Sequence, residues 1–128
     1  MKKLLFFVFL ILSQLALAED VCILLNGASI IAQDNKNTML GKIVNSYNSE
    51  SIFNDYGVYG NEYNGGSIWN QFSTFGNEFN SYSPFNSYST NPPMLIKQGK
   101  IIGYLSANKS IKNSISPNLL KALCKDAL

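Results

Sequence analysis

Three kinds of hydrophobic pattern follow one another along the chain. The first is a continuous apolar run, Leu4 to Leu12, behind two lysines. The second is a set of strand-length apolar segments bounded by turn residues: Val21 to Leu25, Ala28 to Ala32 and Met39 to Val44 early on, then Met94 to Lys97 and Lys100 to Ser106. Asn26-Gly27 between the first two is a strong hairpin signal, and the polar loop Asp34 to Asn37 leads into a third strand. Gln98-Gly99 marks a second hairpin over 94–108, and Pro92-Pro93 keeps the residues before it out of a helix. Ser116-Pro117 starts a helix over 116–126, with Leu119, Leu120 and Leu123 as its apolar stripe beside Cys124.

The third pattern fills the middle. Rows of sixteen read YNSESIFNDYGVYGNE from Tyr47, YNGGSIWNQFSTFGNE from Tyr63 and FNSYSPFNSYSTNPPM from Phe79, in unbroken register over 47–94. Internal repetition at a fixed period means one small unit used three times, each unable to bury its apolar face alone. Ser51, Ser67 and Ser83 each precede a short apolar group, with Pro84 after the third, as at a capped helix start. Ile52, Tyr56 and Tyr59 then fall at i, i+4 and i+7, and Ile68, Phe72 and Phe75 repeat the spacing. Short helical turns with one aromatic face are therefore expected, ended by Gly57, Gly60 or Gly76. Segments so short need packing between rows and onto a sheet made from the flanks. The fold expected is a small α+β domain: antiparallel hairpins from 19–46 and 94–108 around the three rows, with a short C-terminal helix.

The first pattern is a targeting segment. Two lysines, the apolar run and Ala16-Leu17-Ala18 make a signal peptide over 1–18, cut after Ala18, and the run is shorter than the ~20 residues that span a bilayer. The mature chain, 19–128, is then a single domain exported to the periplasm or the extracellular space. Its two cysteines, Cys22 and Cys124, lie near the two ends, where an oxidising compartment favours a disulfide over two free thiols.

Charge narrows the chemistry. The mature chain carries eight Lys against eight Asp plus Glu and has neither His nor Arg. That excludes an imidazole base, a Ser-His or Cys-His pair and His-ligated zinc. From Ile43 to Ile96 there are four acids and no lysine, whereas six lysines follow from Lys97 onward. Those lysines are dispersed, unlike a nucleic-acid patch, and export makes nucleic acid an improbable partner.

The run from Leu40-Gly41 through SIFNDYGVYG, SIWNQFSTFG and SPFNSYSTNPP to IIGYLSAN resembles a family of small exported bacterial proteins of uncharacterised activity. The shared motifs are a Leu-Gly, Ser-Ile-x-Asn and Tyr-Gly repeats, a Ser-Pro-x-Asn unit, a double proline and a closing Tyr-Gly-x-Leu hairpin, covering residues 40 to 108. Many members carry cysteines just after the Leu-Gly. Lys42, Ile43, Val44 and Asn45 stand there here, so no cysteine-dependent role carries over. The resemblance implies an exported domain and no particular chemistry.

Candidate site residues come from the rows. Asn54, Asn70 and Asn86 share one offset; turn asparagines bond their own backbone, but a row of amides beside Tyr56, Tyr59, Tyr63 and Tyr88 also suits a glycan. Most of the aromatics are expected in the core, with Trp69 in the packing slot that Phe53 and Phe85 also occupy. Glu62 and Glu78 match in offset and are a conceivable acid pair, yet Met94 stands there in the third row and no calcium-loop signature is present. Solvated surface acids are the default. The expectation is a non-enzymatic binding or structural module of the cell envelope or extracellular space, without metal or cofactor, facing an envelope glycan or protein. The alternative is an envelope hydrolase or its accessory using carboxylates of the rows.

Overall fold

The computed structural model describes residues 20–128, so the leader expected over 1–18 lies outside the described residues. A helix, α1 (residues 20–25), comes first. It is followed by β1 (Ser29–Ile31), β2 (Met39–Lys42), β3 (Met94–Lys97), β4 (Lys100–Leu105), β5 (Ser114–Ile115) and a second helix, α2 (Pro117–Cys124). The strands form one sheet in the order β2-β1-β3-β4-β5, and the whole is a small α+β fold.

Residues 21–25 are helical, where the sequence predicts the first strand of a hairpin. The reason lies in which positions the core takes. Cys22 and Leu25 are buried while Ile23 and Leu24 are exposed, a spacing of three that a helix supplies and a strand does not. Asn26 donates its N–H to the Cys22 carbonyl (2.9 Å), and Gly27, at φ 91°, ends the helix in the left-handed region. The Asn-Gly dipeptide is thus a helix stop. β1 and β2 instead form the first antiparallel pair, with Ile30 opposite Gly41. In the loop between them the Asp34 carboxylate accepts from the Thr38 hydroxyl (2.6 Å) and amide (3.0 Å). The Thr38 hydroxyl above all holds that carboxyl below its ordinary range.

The second hairpin forms as expected. Gln98 and Gly99, at φ 53° and 75°, turn the chain between β3 and β4. The sheet is mixed, however, since β5 runs parallel to β4, with Tyr104 beside Ser114 and Leu105 beside Ile115. Two residues are too few to show a strand period, so this strand left no signature in the sequence. α2 begins as expected: the Ser116 hydroxyl accepts from the Leu119 amide (3.2 Å) and Pro117 opens the first turn. Leu120 and Cys124 are buried and Leu123 packs on the core, but Leu119 is half exposed and leaves the expected stripe.

Between β2 and β3, residues 43–93 contain neither a strand nor a propagated helix. They form a ladder of turns closed by i+3 N–H to i C=O bonds. Asn48, Ser51, Asn54 and Gly57 each donate to the corner three residues back, from Asn45 onward, and Asn61 then donates to Gly57 across a four-residue step. Corners 61, 64, 67, 70 and 73 repeat the first five at an offset of sixteen, and corners 77, 80, 83, 86 and 89 repeat them again. Because only every third residue donates in this way, helical turns form singly and none extends. Ile52 is buried and Tyr59 packs on the core, but Tyr56 between them is almost fully exposed. The i, i+4, i+7 face expected from the sequence is therefore split by a three-residue periodicity.

The ladder leans on the sheet through one edge. Ile52, Phe53 and Ile68 join Ile30, Leu40, Ile43, Leu95, Leu105 and Leu120 in a single core, and Ser51, Ser67 and Ser83 are completely buried beside them. Gly60 and Gly76 let successive turns approach: a Cβ at either would lie 1.9 or 1.8 Å from the carbonyl oxygen of Asn54 or Asn70. Gly76→Ala is accordingly expected to lower stability by several kcal/mol or to prevent folding, whereas Gly65→Ala, with nothing within 4 Å, should be nearly neutral. Urea denaturation of the two variants checks this.

Cys22 on α1 and Cys124 on α2 form a disulfide, with Cα atoms 5.4 Å apart at a sequence separation of 102. Closing a loop of that size stabilises by about 4 to 5 kcal/mol in the chain-entropy model. Reduction followed by alkylation should lower the urea midpoint accordingly, and intact mass should show no alkylatable thiol in the unreduced protein.

Candidate functional site

The ladder sorts its aromatics by the residue at each turn corner. An Asn or Ser oxygen at the corner accepts the N–H of the residue two further on, so side chain and backbone close the same turn. In the first row Asn45, Asn48, Ser51 and Asn54 accept from Tyr47, Glu50, Phe53 and Tyr56 at 2.8 to 3.0 Å. The second row does the same with Tyr63, Gly66, Trp69 and Phe72 as donors. The third uses Phe79, Tyr82, Phe85 and Tyr88.

Serine corners point their aromatic inward. Phe53 is buried, and Trp69 and Phe85 are half-buried against the core. The serines also donate into the protein, Ser51 to the Val44 carbonyl (2.8 Å) and Ser67 to the Tyr59 carbonyl (3.1 Å), which lets a small hydroxyl sit at a fully buried corner. Asparagine corners present their aromatic to solvent, except Asn80, whose Tyr82 is half-buried. Tyr47, Tyr63 and Phe79 form one such set at an offset of sixteen, and Tyr56, Phe72 and Tyr88 another, all 84 to 97% exposed. Each closes an Asn-x-aromatic triplet.

Between the two sets lie shallow depressions whose floor is the inward aromatics. Tyr47, Phe53 and Tyr56 line one, Tyr63, Trp69 and Phe72 the next. Trp69, Phe72, Phe79 and Phe85 line a third of about 600 Å³. Trp69 anchors the floor. Its indole N–H donates to the Ile52 carbonyl (2.6 Å), its ring meets Phe85 edge-on at 5.8 Å, and Lys121 of α2 sits 4.3 Å from its ring centroid. Lys125 bridges Asp55 at 3.2 Å, so the polar side of α2 closes the groove along one margin.

The expected site residues separate accordingly. Tyr56, Tyr63 and Tyr88 stand on the exposed sets, while Tyr59 packs on the core. The amides of Asn54, Asn70 and Asn86 are committed to the ladder: each oxygen closes its own turn, and each Nδ2 donates to the carbonyl six residues back at 3.1 Å. Tyr47, Phe72 and Phe79 belong to the surface but were not singled out from the sequence. The signal available was the Asn-x-Tyr/Phe triplet, which occurs at 45, 54, 61, 70, 77, 80 and 86 and presents an exposed ring at all of these but 80, where Tyr82 is half-buried.

Glu62 and Glu78 are the middle residues of two such triplets and are exposed, lining separate depressions on either side of Phe72. The other two acids of the rows are paired, Glu50 with Lys42 (3.5 Å) and Asp55 with Lys125. Among the described residues no three acids or cysteines converge as metal ligands would. No protein-family model, curated protein or solved structure matches this chain.

Asn70→Ala removes the acceptor of the Phe72 amide and the donor to Asn64, and should cost about 1 to 2 kcal/mol. Phe72→Ala, which removes an exposed ring, should stay within about 0.5 kcal/mol of wild type. Paired chemical denaturation curves would show the contrast, and equal losses would place Phe72 in the packing.

Proposed function

We propose that the chain is an exported, non-enzymatic binding module of the cell envelope or extracellular space, and that its binding surface is the pair of exposed aromatic sets with the groove between them. The observation that carries this reading is the near-complete exposure of six large aromatics on a scaffold that needs none of them for packing. Single exposed apolar residues are ordinary, but six in a regular array mark an interaction surface. The backbone beneath them is tied by two hydrogen bonds per turn, so the array is held rigid before any ligand arrives, which lowers the ordering cost of binding.

Export is supported by the leader pattern of residues 1–18 and by the Cys22–Cys124 disulfide, and among the described residues no helix is long and apolar enough to cross a membrane. The alternative, a carboxylate hydrolase, would need Glu62 and Glu78 to act across one scissile bond; they line different depressions. Membership of the family that the Ser-Ile-x-Asn and Tyr-Gly motifs resemble is part of the same proposal and rests on sequence pattern.

The test is retention of the mature protein on washed cell-envelope material. Truncating Tyr56, Phe72 and Tyr88 together to Ala should reduce retention about tenfold or more while the melting temperature holds. Glu62→Gln with Glu78→Gln, which keeps a hydrogen-bond acceptor at each position, should lower retention far less than the triple truncation does. Turnover of envelope glycan or peptide that the Glu→Gln pair abolishes would replace this reading with the hydrolase.

A further inference from the structure

We infer that the ligand of the aromatic groove is an uncharged glycan chain, bound by stacking of successive pyranose rings on the exposed Tyr and Phe side chains. This rests on the binding-module reading and supplies its ligand class. Three observations select a glycan over other occupants.

The first is the alternation of surface chemistry. Each exposed ring follows a polar corner and a polar or acidic residue in sequence, and the depressions between the rings are lined by polar side chains as well as aromatic ones. A protein partner is favoured by an apolar centre with polar groups only at its rim, whereas here polar side chains line the same depressions as the rings. A pyranose has apolar C–H faces and a rim of hydroxyls, and so matches rings set among Gln71, Glu62, Asn77 and Glu78.

The second is charge. The rows contain no lysine, and the two lysines that α2 brings to the groove are engaged, Lys125 with Asp55 and Lys121 with Trp69. Glu62 and Glu78 have no ion-pair partner among the described residues. A polyanionic polymer or an anionic membrane would meet carboxylates and no free cation on this face. An uncharged polymer meets no such penalty, and carboxylates accept hydrogen bonds from its hydroxyls.

The third is periodicity. The same triad of one ring from each exposed set and one floor ring occurs at Tyr47, Phe53 and Tyr56 and again at Tyr63, Trp69 and Phe72. A repeating surface suits a repeating ligand, because each added sugar unit meets the same contacts and the separate stacking interactions add through effective concentration.

The experiment uses the mature, disulfide-bonded protein in affinity electrophoresis and in depletion assays on polymers differing in linkage and charge: cellulose, chitin, soluble β-1,3-glucan, amylose and heparin. At least one uncharged polymer should retard or deplete it, with short oligomers of that polymer binding at least about tenfold more weakly than long ones. The triple variant Tyr56→Ala, Phe72→Ala, Tyr88→Ala should lose at least about tenfold in affinity, and Tyr56→Phe with Tyr88→Phe, which keeps the rings, should retain most of it. Unchanged thermal unfolding of each variant controls for folding. Retention by heparin alone, row-dependent dimerisation in sedimentation with no polymer bound, or polymer binding that the triple variant does not weaken would each overturn the inference. Row-dependent retention on envelope material from which all glycan has been enzymatically stripped would overturn the ligand class and leave the binding-module reading standing.

Discussion

Everything in the central half of this protein depends on one doubled contact: a corner residue whose carbonyl accepts the N–H three residues on while its side-chain oxygen accepts the N–H two residues on. Neither bond alone would hold fifty residues without strand or helix, because an isolated turn fixes several dihedrals for a single hydrogen bond. Together they satisfy two amides per turn from within the turn. That leaves few backbone groups needing a ladder partner and allows the segment to stand out from the sheet. Asparagine and serine are the residues whose short polar side chains can do this, which is why they recur here and why the stretch is neither disordered nor helical.

The ladder is local, and the rest of the fold is its anchor. Ile52, Phe53 and Ile68 enter the core from the ladder, and β2 reaches it directly through the Lys42 to Ser51 bridge. At the opposite extreme of sequence separation, the disulfide ties α1 to α2, and α2 in turn touches the ladder through Lys121 and Lys125. The groove is therefore bounded by elements far apart in sequence, and the disulfide ties down the helix at its margin even though no cysteine faces it.

How much of this the residues disclosed varied with the length and purity of each signal. The β3–β4 turn at Gln98-Gly99 and the Ser116-Pro117 cap were legible because each is a dipeptide with a defined backbone requirement. Val21 to Leu25 misled because a five-residue apolar run has no period long enough to separate strand from helix, and the core contacts at Cys22 and Leu25 decided it. β5 left no trace at two residues. The sixteen-residue register was plain, but it concealed the finer step of three, since one four-residue step per row breaks that rhythm. Read at the step of three, the triplet Asn-x-aromatic would have separated the six exposed rings from the floor rings, with the half-buried Tyr82 as its one exception; read at 3.6, it placed Tyr56 and Phe72 on a buried face.

The arithmetic of that step carries a consequence for how such a chain can vary. Four steps of three and one of four make sixteen, so every corner in one row is in phase with its counterpart in the next. Joining residue 62 directly to residue 79 would preserve the order of corners, and duplicating residues 63–78 would add a row without altering either junction. Chain length in this segment is thus quantised: whole rows can be gained or lost by recombination within the coding sequence, each changing the length of the exposed array by one unit, whereas an insertion of any other size would throw the corners downstream out of step.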